Sequence, residues 1–288
     1  MINKVIETKK GKVEFSLRGE GHAVLFVHGG HSNSRELLAH KGIDLTRYQL
    51  ITPSRPGYGQ TPLLPHPSPK ATAELLVALL DELEIRRVIL TGISAGGPVA
   101  LELAASFPER VTRLVLISAV TKKWLSEKDP AYVKGRKLFS PSAERYSWGL
   151  FKFFYAMFPG VMAGTLFQEL STVKGAGITK EEIEELRTMV REQRSHSGFI
   201  YDLDQQPAEP EVFSKISCPT LIVHSLNDRS VPVEHAHFAH QHIKDSALKT
   251  YRNKWGHLVW IGDDSEKIIQ DLMNFIQQDL SHLVSENL

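Results

Sequence analysis

The chain has 288 residues, 42% hydrophobic and 23% charged, with a formal net charge of +1 at pH 7. A globular chain of this length buries a large core without cross-links, and the single cysteine, Cys218, excludes an internal disulfide. Near-zero net charge without a long basic run excludes the electrostatic footprint of a nucleic-acid binder.

In chain order, residues 4–18 alternate apolar and polar in two bursts around Lys10-Gly11, which predicts a hairpin. Residues 23–27 form an apolar strand that ends at His28-Gly29-Gly30. Residues 48–52 form another, ending in Pro53-Ser54-Arg55-Pro56-Gly57-Tyr58-Gly59. Ala73, Leu76, Val77, Leu80 and Leu83 are spaced as one face of a helix. A buried strand follows over 87–91, then a helix to about Phe107 and a strand over 113–117. After Ser118 the alternation stops, and from about Thr121 to Glu211 the pattern is helical, aromatic and irregular. It resumes with a strand from Pro219 to His224, a helix from about Val233, a strand over 247–251 and a last helix from about Asp264 to Asp279. Strands alternating with helices, several of them apolar throughout, predict an α/β fold: a mostly parallel, twisted sheet flanked by helices. The core spans 1–120 and 212–288, and residues 121–211 are inserted as a helical cap.

Gly92-Ile93-Ser94-Ala95-Gly96 lies between the strand at 87–91 and the helix from Pro98. A G-x-S-x-G in that setting is the pattern of a nucleophile elbow, a turn too sharp for side chains at its flanks that holds the serine hydroxyl clear of the backbone. Acyl transfer by Ser94 needs a base, a carboxylate to orient that base and donors for the oxyanion. A parallel sheet presents functional residues at the carboxyl ends of its strands. Asp228, just past the strand that ends at His224, is the candidate acid; Glu234 is the fallback, placed in the next helix. Ser118-Ala119-Val120-Thr121 contains no carboxylate. His257, after Gly256 and past the last predicted strand, is the candidate base. The backbone N–H groups of Ala95 and Gly30 are the candidate oxyanion donors, with His28 bracing its loop and His31 within reach of the pocket.

The remaining features read as structure. Cys218, before Pro219 at the mouth of a strand, is a buried thiol. His235, His237, His240 and His242 lack a zinc-site spacing and read as a solvated helix face, so no metal is expected. Residues 146–167 are aromatic and apolar but contain Lys152 and are broken by Pro159-Gly160. They read as a lid or pocket wall, with contact to lipid surfaces as the functional alternative and no stable membrane insertion. The N-terminus has no apolar h-region, so a cytoplasmic location is expected. The oligomeric state is left open.

These motifs carry a resemblance. His28-Gly29-Gly30, the pentapeptide around Ser94, Asn227-Asp228 before Val231-Pro232, and Gly256-His257 resemble the α/β-hydrolase fold superfamily over nearly the whole chain, in the same order of serine, acid and histidine. Arg55-Pro56-Gly57-Tyr58-Gly59 is similar to a further signature that an aspartate usually leads; Ser54 stands there instead. The resemblance implies a serine hydrolase with no cofactor, acting on a small-molecule ester. Trp148, Phe151, Phe153, Phe154, Tyr155, Phe158 and Phe167 suggest an apolar pocket. The same machinery serves carbon–carbon bond, lactone and amide hydrolysis, perhydrolysis and ligand reception. Dehalogenase and epoxide hydrolase chemistry is disfavoured, because those relatives carry aspartate at the position of Ser94.

Overall fold

The computed structural model describes residues 2–205 and 208–277. Eight strands make one sheet: β1 (Ile2–Thr8), β2 (Gly11–Arg18), β3 (His22–Val27), β4 (Tyr48–Pro53), β5 (Val88–Ile93), β6 (Val111–Ile117), β7 (Thr220–Ser225) and β8 (Ser246–Tyr251). Their order is β1-β2-β4-β3-β5-β6-β7-β8. The hairpin predicted around Lys10-Gly11 is the antiparallel β1–β2 pair, and β2 meets β4 antiparallel. From β4 onward every pairing is parallel. β5 and β7 are buried along their whole length, which is why their sequences lack alternation.

Successive side chains of each strand enter opposite layers. Leu25, Val27, Leu90, Leu114 and Ile222 pack with α1 (Pro69–Glu82) and α2 (Gly97–Ser106). Ser68 caps α1, its side chain accepting from the Ala71 N–H (3.0 Å), and Pro69 occupies the first turn, where its missing N–H costs nothing. Val24, Phe26, Ile89, Val115 and Val223 face the other way, against a helix at the end of the described chain.

Between β6 and β7 the chain forms α3 (Pro130–Leu138), α4 (Glu144–Met157), α5 (Pro159–Leu170), α6 (Lys180–Glu192), α7 (Gly198–Asp204) and α8 (Pro210–Ser214). Phe213 of α8 joins the layer that holds α1 and α2. After β7 come α9 (Glu234–His242), in that same layer, and α10 (Ser265–Gln277), whose Ile268, Leu272 and Ile276 fill the opposite one. The last predicted helix begins as expected; its end at Asp279 lies outside the described residues. The apolar run over 146–167 is divided at Pro159 between α4 and α5, and no described helix is long and apolar enough to cross a membrane. Cys218 is buried, and burial pushes its thiol up to about 11.

One buried ion pair fastens the helical excursion to the sheet. The Arg55 guanidinium, on the loop after β4, grips both carboxylate oxygens of Asp202 in α7 (2.6 and 2.8 Å), and both side chains are almost fully buried. The same guanidinium donates to the carbonyls of His28 (2.8 Å) and Gly29 (3.2 Å), and the Tyr58 hydroxyl donates to Asp202 Oδ2. Burial opposes the charged guanidinium, but the facing carboxylate outweighs it and holds Arg55 protonated. Removing one partner strands the other charge in the interior, which costs about 3–5 kcal/mol. Asp202→Ala is therefore expected to lower stability by about that amount in a denaturant titration.

Candidate active site

β5 runs straight into the turn that carries Ser94, and α2 leaves from its far side. Ser94 has φ +49°, a left-handed conformation that costs a non-glycine residue about 1–3 kcal/mol. The flanking glycines are there for space: a Cβ on Gly92 would lie 2.5 Å from that of Ala100, and one on Gly96 would lie 2.3 Å from the Val27 carbonyl oxygen. The Ser94 carbonyl accepts from the Val120 N–H (2.9 Å), tying the turn to the end of β6.

Three expected side chains meet. His257 Nε2 lies 3.0 Å from Ser94 Oγ, and His257 Nδ1 lies 2.7 Å from Asp228 Oδ2. An ionised carboxylate only accepts, so Nδ1 carries the imidazole proton and Nε2 faces the hydroxyl as an acceptor. Asp228 Oδ1 accepts from the Ser230 and Val231 N–H groups, both at 2.9 Å. Burial pushes the Asp228 carboxyl up, but the charge and hydrogen bonds of His257 and His224 outweigh it and hold the group at about 2. Glu234, the fallback acid, is exposed in the first turn of α9.

Several residues that steady this arrangement carry no motif for that role. His224, in β7, donates from Nε2 to the Val231 carbonyl (2.8 Å), and the same atom lies 3.4 Å from Asp228 Oδ2. Ser118, at φ +46° after β6, donates to the His257 carbonyl (3.2 Å). The end of α5 binds the loops that carry Asp228 and His257: the Leu170 carbonyl accepts from His257 N–H (3.0 Å), and Ser171 pairs with Asp228 in an isolated β-bridge. Glu182 of α6 accepts from Trp255 Nε1 (2.9 Å) and Lys254 Nζ (2.6 Å), two and three residues before His257. Only the chain reversal that brings α5 and α6 back over the sheet makes these contacts, so no local pattern signals them.

The loop after β3 closes the other side. His28 is buried; its Nε2 accepts from Arg55 N–H (3.0 Å), so its Nδ1 donates to the Gly29 carbonyl (2.7 Å), the bracing role expected of it. Gly29 is the closer of the two glycines to Ser94, since a Cβ there would lie 3.6 Å from Ser94 Oγ. Gly30 lies under Phe199, whose ring atoms would be 3.1 Å from an added Cβ. Ala95, the other candidate donor, is buried at the entry to α2, where the helix dipole adds positive potential. His31 packs among aromatic rings, its centroid 3.8 Å from that of Phe199, with Nδ1 2.6 Å from Ser195 Oγ. Burial pulls its pKa down to about 3, so it is neutral. Ser54, where the related signature has an aspartate, donates to Glu14 Oε2 (2.7 Å), and Gln60 N–H donates to the same oxygen (3.0 Å). The carboxylate that braces this loop thus comes from β2.

Two expectations need correction. The histidines of α9 are not one solvated face: His235 is buried, and its Nδ1 accepts from the Thr121 N–H (3.0 Å), anchoring the start of the helical excursion. Among the described residues there is no cluster of three side chains able to hold a metal. Nor do all the cap aromatics turn inward. Trp148, Tyr155 and Phe167 are buried and Phe151 is half-buried, but Phe153, Phe154 and Phe158 are exposed. α4 is apolar on two faces, so periodicity alone gives it no direction.

A family model described as alpha/beta hydrolase fold matches residues 22–264. The chain is 38% identical over 272 residues to an uncharacterized hydrolase, YcgS, of Bacillus subtilis (strain 168), covering 93% of this chain and 95% of that one. It is 28% identical over 263 residues to the 2-hydroxy-6-oxo-2,4-heptadienoate hydrolase of Pseudomonas putida, covering 87% and 88%. Among solved structures it is similar to an alpha/beta hydrolase fold protein from Nakamurella multipartita, with a TM-score of 0.77 and 24% identity over 95% of this chain and 98% of that one.

The depressed pKa of Asp228 has a consequence for acid stability. A carboxyl that falls from its ordinary 3.8 to about 2 on folding stabilises the fold fully above about pH 4, and that contribution is lost as pH falls through about 2. The gap in denaturant midpoint between the wild type and Asp228→Asn is expected to be constant above pH 4 and to shrink toward pH 2.

Proposed function

This chain belongs to the α/β-hydrolase fold family and is a hydrolase, and on that premise we propose that it cleaves a carboxylic ester of a small or medium apolar substrate through an acyl-enzyme. The observation that carries the reading is the unbroken line Ser94 Oγ–His257 Nε2–His257 Nδ1–Asp228 Oδ2, at 3.0 and 2.7 Å. Ser94 Oγ attacks the acyl carbon while His257 Nε2 takes its proton. Asp228 holds the ring in the tautomer that leaves Nε2 free and stabilises the imidazolium. The amides of Ala95 and Gly30 receive the negative oxygen, and losing one such donor costs about 10²–10³ in turnover. Collapse of the tetrahedral species breaks the ester C–O bond, and His257 returns its proton to the leaving alcohol. A water, deprotonated by the same nitrogen, then attacks the acyl carbon; the acid leaves and Ser94 regains its proton. No step calls for a cofactor.

The surroundings support a neutral, apolar acyl group. His31, Phe139 and Phe199 pack together beside Gly30, their ring centroids 3.8–5.4 Å apart. Arg55, the guanidinium against the His28–Gly29 loop, is already taken up by Asp202 and two carbonyls and is not available to a substrate carboxylate. A second reading is hydrolysis of a carbon–carbon bond next to a ketone, which the Pseudomonas putida relative favours.

A series of p-nitrophenyl esters separates the readings. kcat/KM is expected to rise from acetate to longer acyl chains, and Ser94→Ala to lower turnover about 10⁶-fold. Asp228→Asn is expected to lower it about 10⁴-fold, because the tautomer is lost. Near-normal ester turnover by Ser94→Ala would contradict the assignment. Faster turnover of a 2-hydroxy-6-oxo-dienoate than of every ester would favour the second reading. A single slow acylation without turnover would favour a receptor.

A further inference from the structure

α4 carries two apolar faces. Trp148, Phe151 and Tyr155, spaced three and four apart, face the interior. Tyr146, Leu150, Phe153 and Met157, spaced four, three and four, form a second stripe whose members are each 55–75% exposed. Phe158 (51%) and Val161 (70%) extend it across the turn into α5. Isolated exposed apolar residues are ordinary, but a contiguous aromatic strip marks a surface that something covers.

The sequence of α3, α4 and most of α5 leans cationic, although Lys134 is paired with Glu169 (2.6 Å) and Arg136 with Asp204 (2.6 Å). Residues 130–168 contain five cations, Lys134, Arg136, Lys137, Arg145 and Lys152, and one carboxylate, Glu144. Glu144 is buried and held by Arg194 (2.8 Å), so it offers nothing to this surface. Lys137 and Arg145 are exposed and have no ion-pair partner among the described residues. Arg145 directly precedes Tyr146 on α4; Lys152, seven positions on, is half-buried and donates to the Arg191 carbonyl (2.8 Å). Lys137 stands next to Leu138, whose carbonyl accepts from Ser147 Oγ (2.7 Å) one residue past Tyr146.

From these observations we infer that the outer face of α4 and the α4–α5 turn docks on an anionic lipid surface, its aromatic strip entering the headgroup boundary and Lys137 and Arg145 pairing with lipid phosphates. Aromatic and aliphatic side chains bordered by lysine and arginine suit that interface, where each cation near the surface contributes separately to binding. A second copy fits less well. A two-fold contact would set Lys137 and Arg145 of one copy against those of the other, with Glu144 and Glu169 already held by Arg194 and Lys134. Docking there does not depend on which bond Ser94 cleaves.

Co-sedimentation of the full chain with phosphatidylcholine vesicles, with and without phosphatidylglycerol, tests it. The chain is expected to bind the mixed vesicles far better than the neutral ones, and raised salt to weaken that binding. Lys137→Ala with Arg145→Ala is expected to lower the partition coefficient about 30-fold. Leu150→Ser with Phe153→Ser is expected to abolish binding at an unchanged melting temperature, since both side chains are already exposed. Equal partition into both vesicle types, or no binding to either, would overturn the proposal. So would binding that survives the serine substitutions, or a dimer in sedimentation velocity that those substitutions dissolve.

Discussion

The 3.0 Å contact between Ser94 Oγ and His257 Nε2 joins two positions 163 residues apart, and most of the chain serves to hold it. One end is rigid by geometry. Ser94 sits at a positive φ between two glycines that admit no side chain, which fixes the path of the backbone at the turn. The other end is held by many partners. His257 is fixed through its ring by Asp228, through its carbonyl by Ser118 and through its N–H by Leu170. None of these bonds is strong alone, each being worth about 1 kcal/mol, but they act on different atoms of one residue and leave it no free rotation.

The helical excursion is therefore more than a cover. Leu170, Ser171 and Glu182 belong to it, and all three bind the loops that carry Asp228 and His257. At the opposite side Asp202 receives Arg55, which also holds the carbonyls of His28 and Gly29. The two loops that bracket Ser94 are thus each fastened to the excursion by a buried carboxylate. Ser94 and His257 are both under 10% exposed, so the line of hydrogen bonds lies in a poorly solvated setting where its electrostatics are strengthened. Movement of α6 or α7 would therefore disturb the geometry at Ser94.

How much of this was legible in the sequence follows from the range of each interaction. The strands were readable because continuous apolar runs ended at glycine- or proline-rich turns, as at Val27 and Thr91. Ser94, Asp228 and His257 were readable because each stands just past such a run, where a parallel sheet presents its functional groups. Glu182, Ser171 and Asp202 were not, because they bind the Lys254 ammonium, the Lys254 carbonyl and Arg55, which lie 72, 83 and 147 residues away, and the Thr179–Glu182 capping box marks only the start of α6. His235 was misplaced because four histidines in eight residues do not say which face of α9 turns inward. Phe153 and Phe154 were misplaced because a helix apolar on both sides hides its own orientation, and Phe158 because it falls in the turn between α4 and α5.

The central claim is that the geometry at Ser94 turns an ordinary hydroxyl into a nucleophile. A fluorophosphonate probe, followed by mass mapping of the labelled peptide, tests that without knowledge of the substrate. The adduct is predicted on Ser94 alone, forming at a rate that collapses when His257 is replaced by alanine. A label on any other residue, or labelling of Ser94 at the same rate without His257, would contradict it.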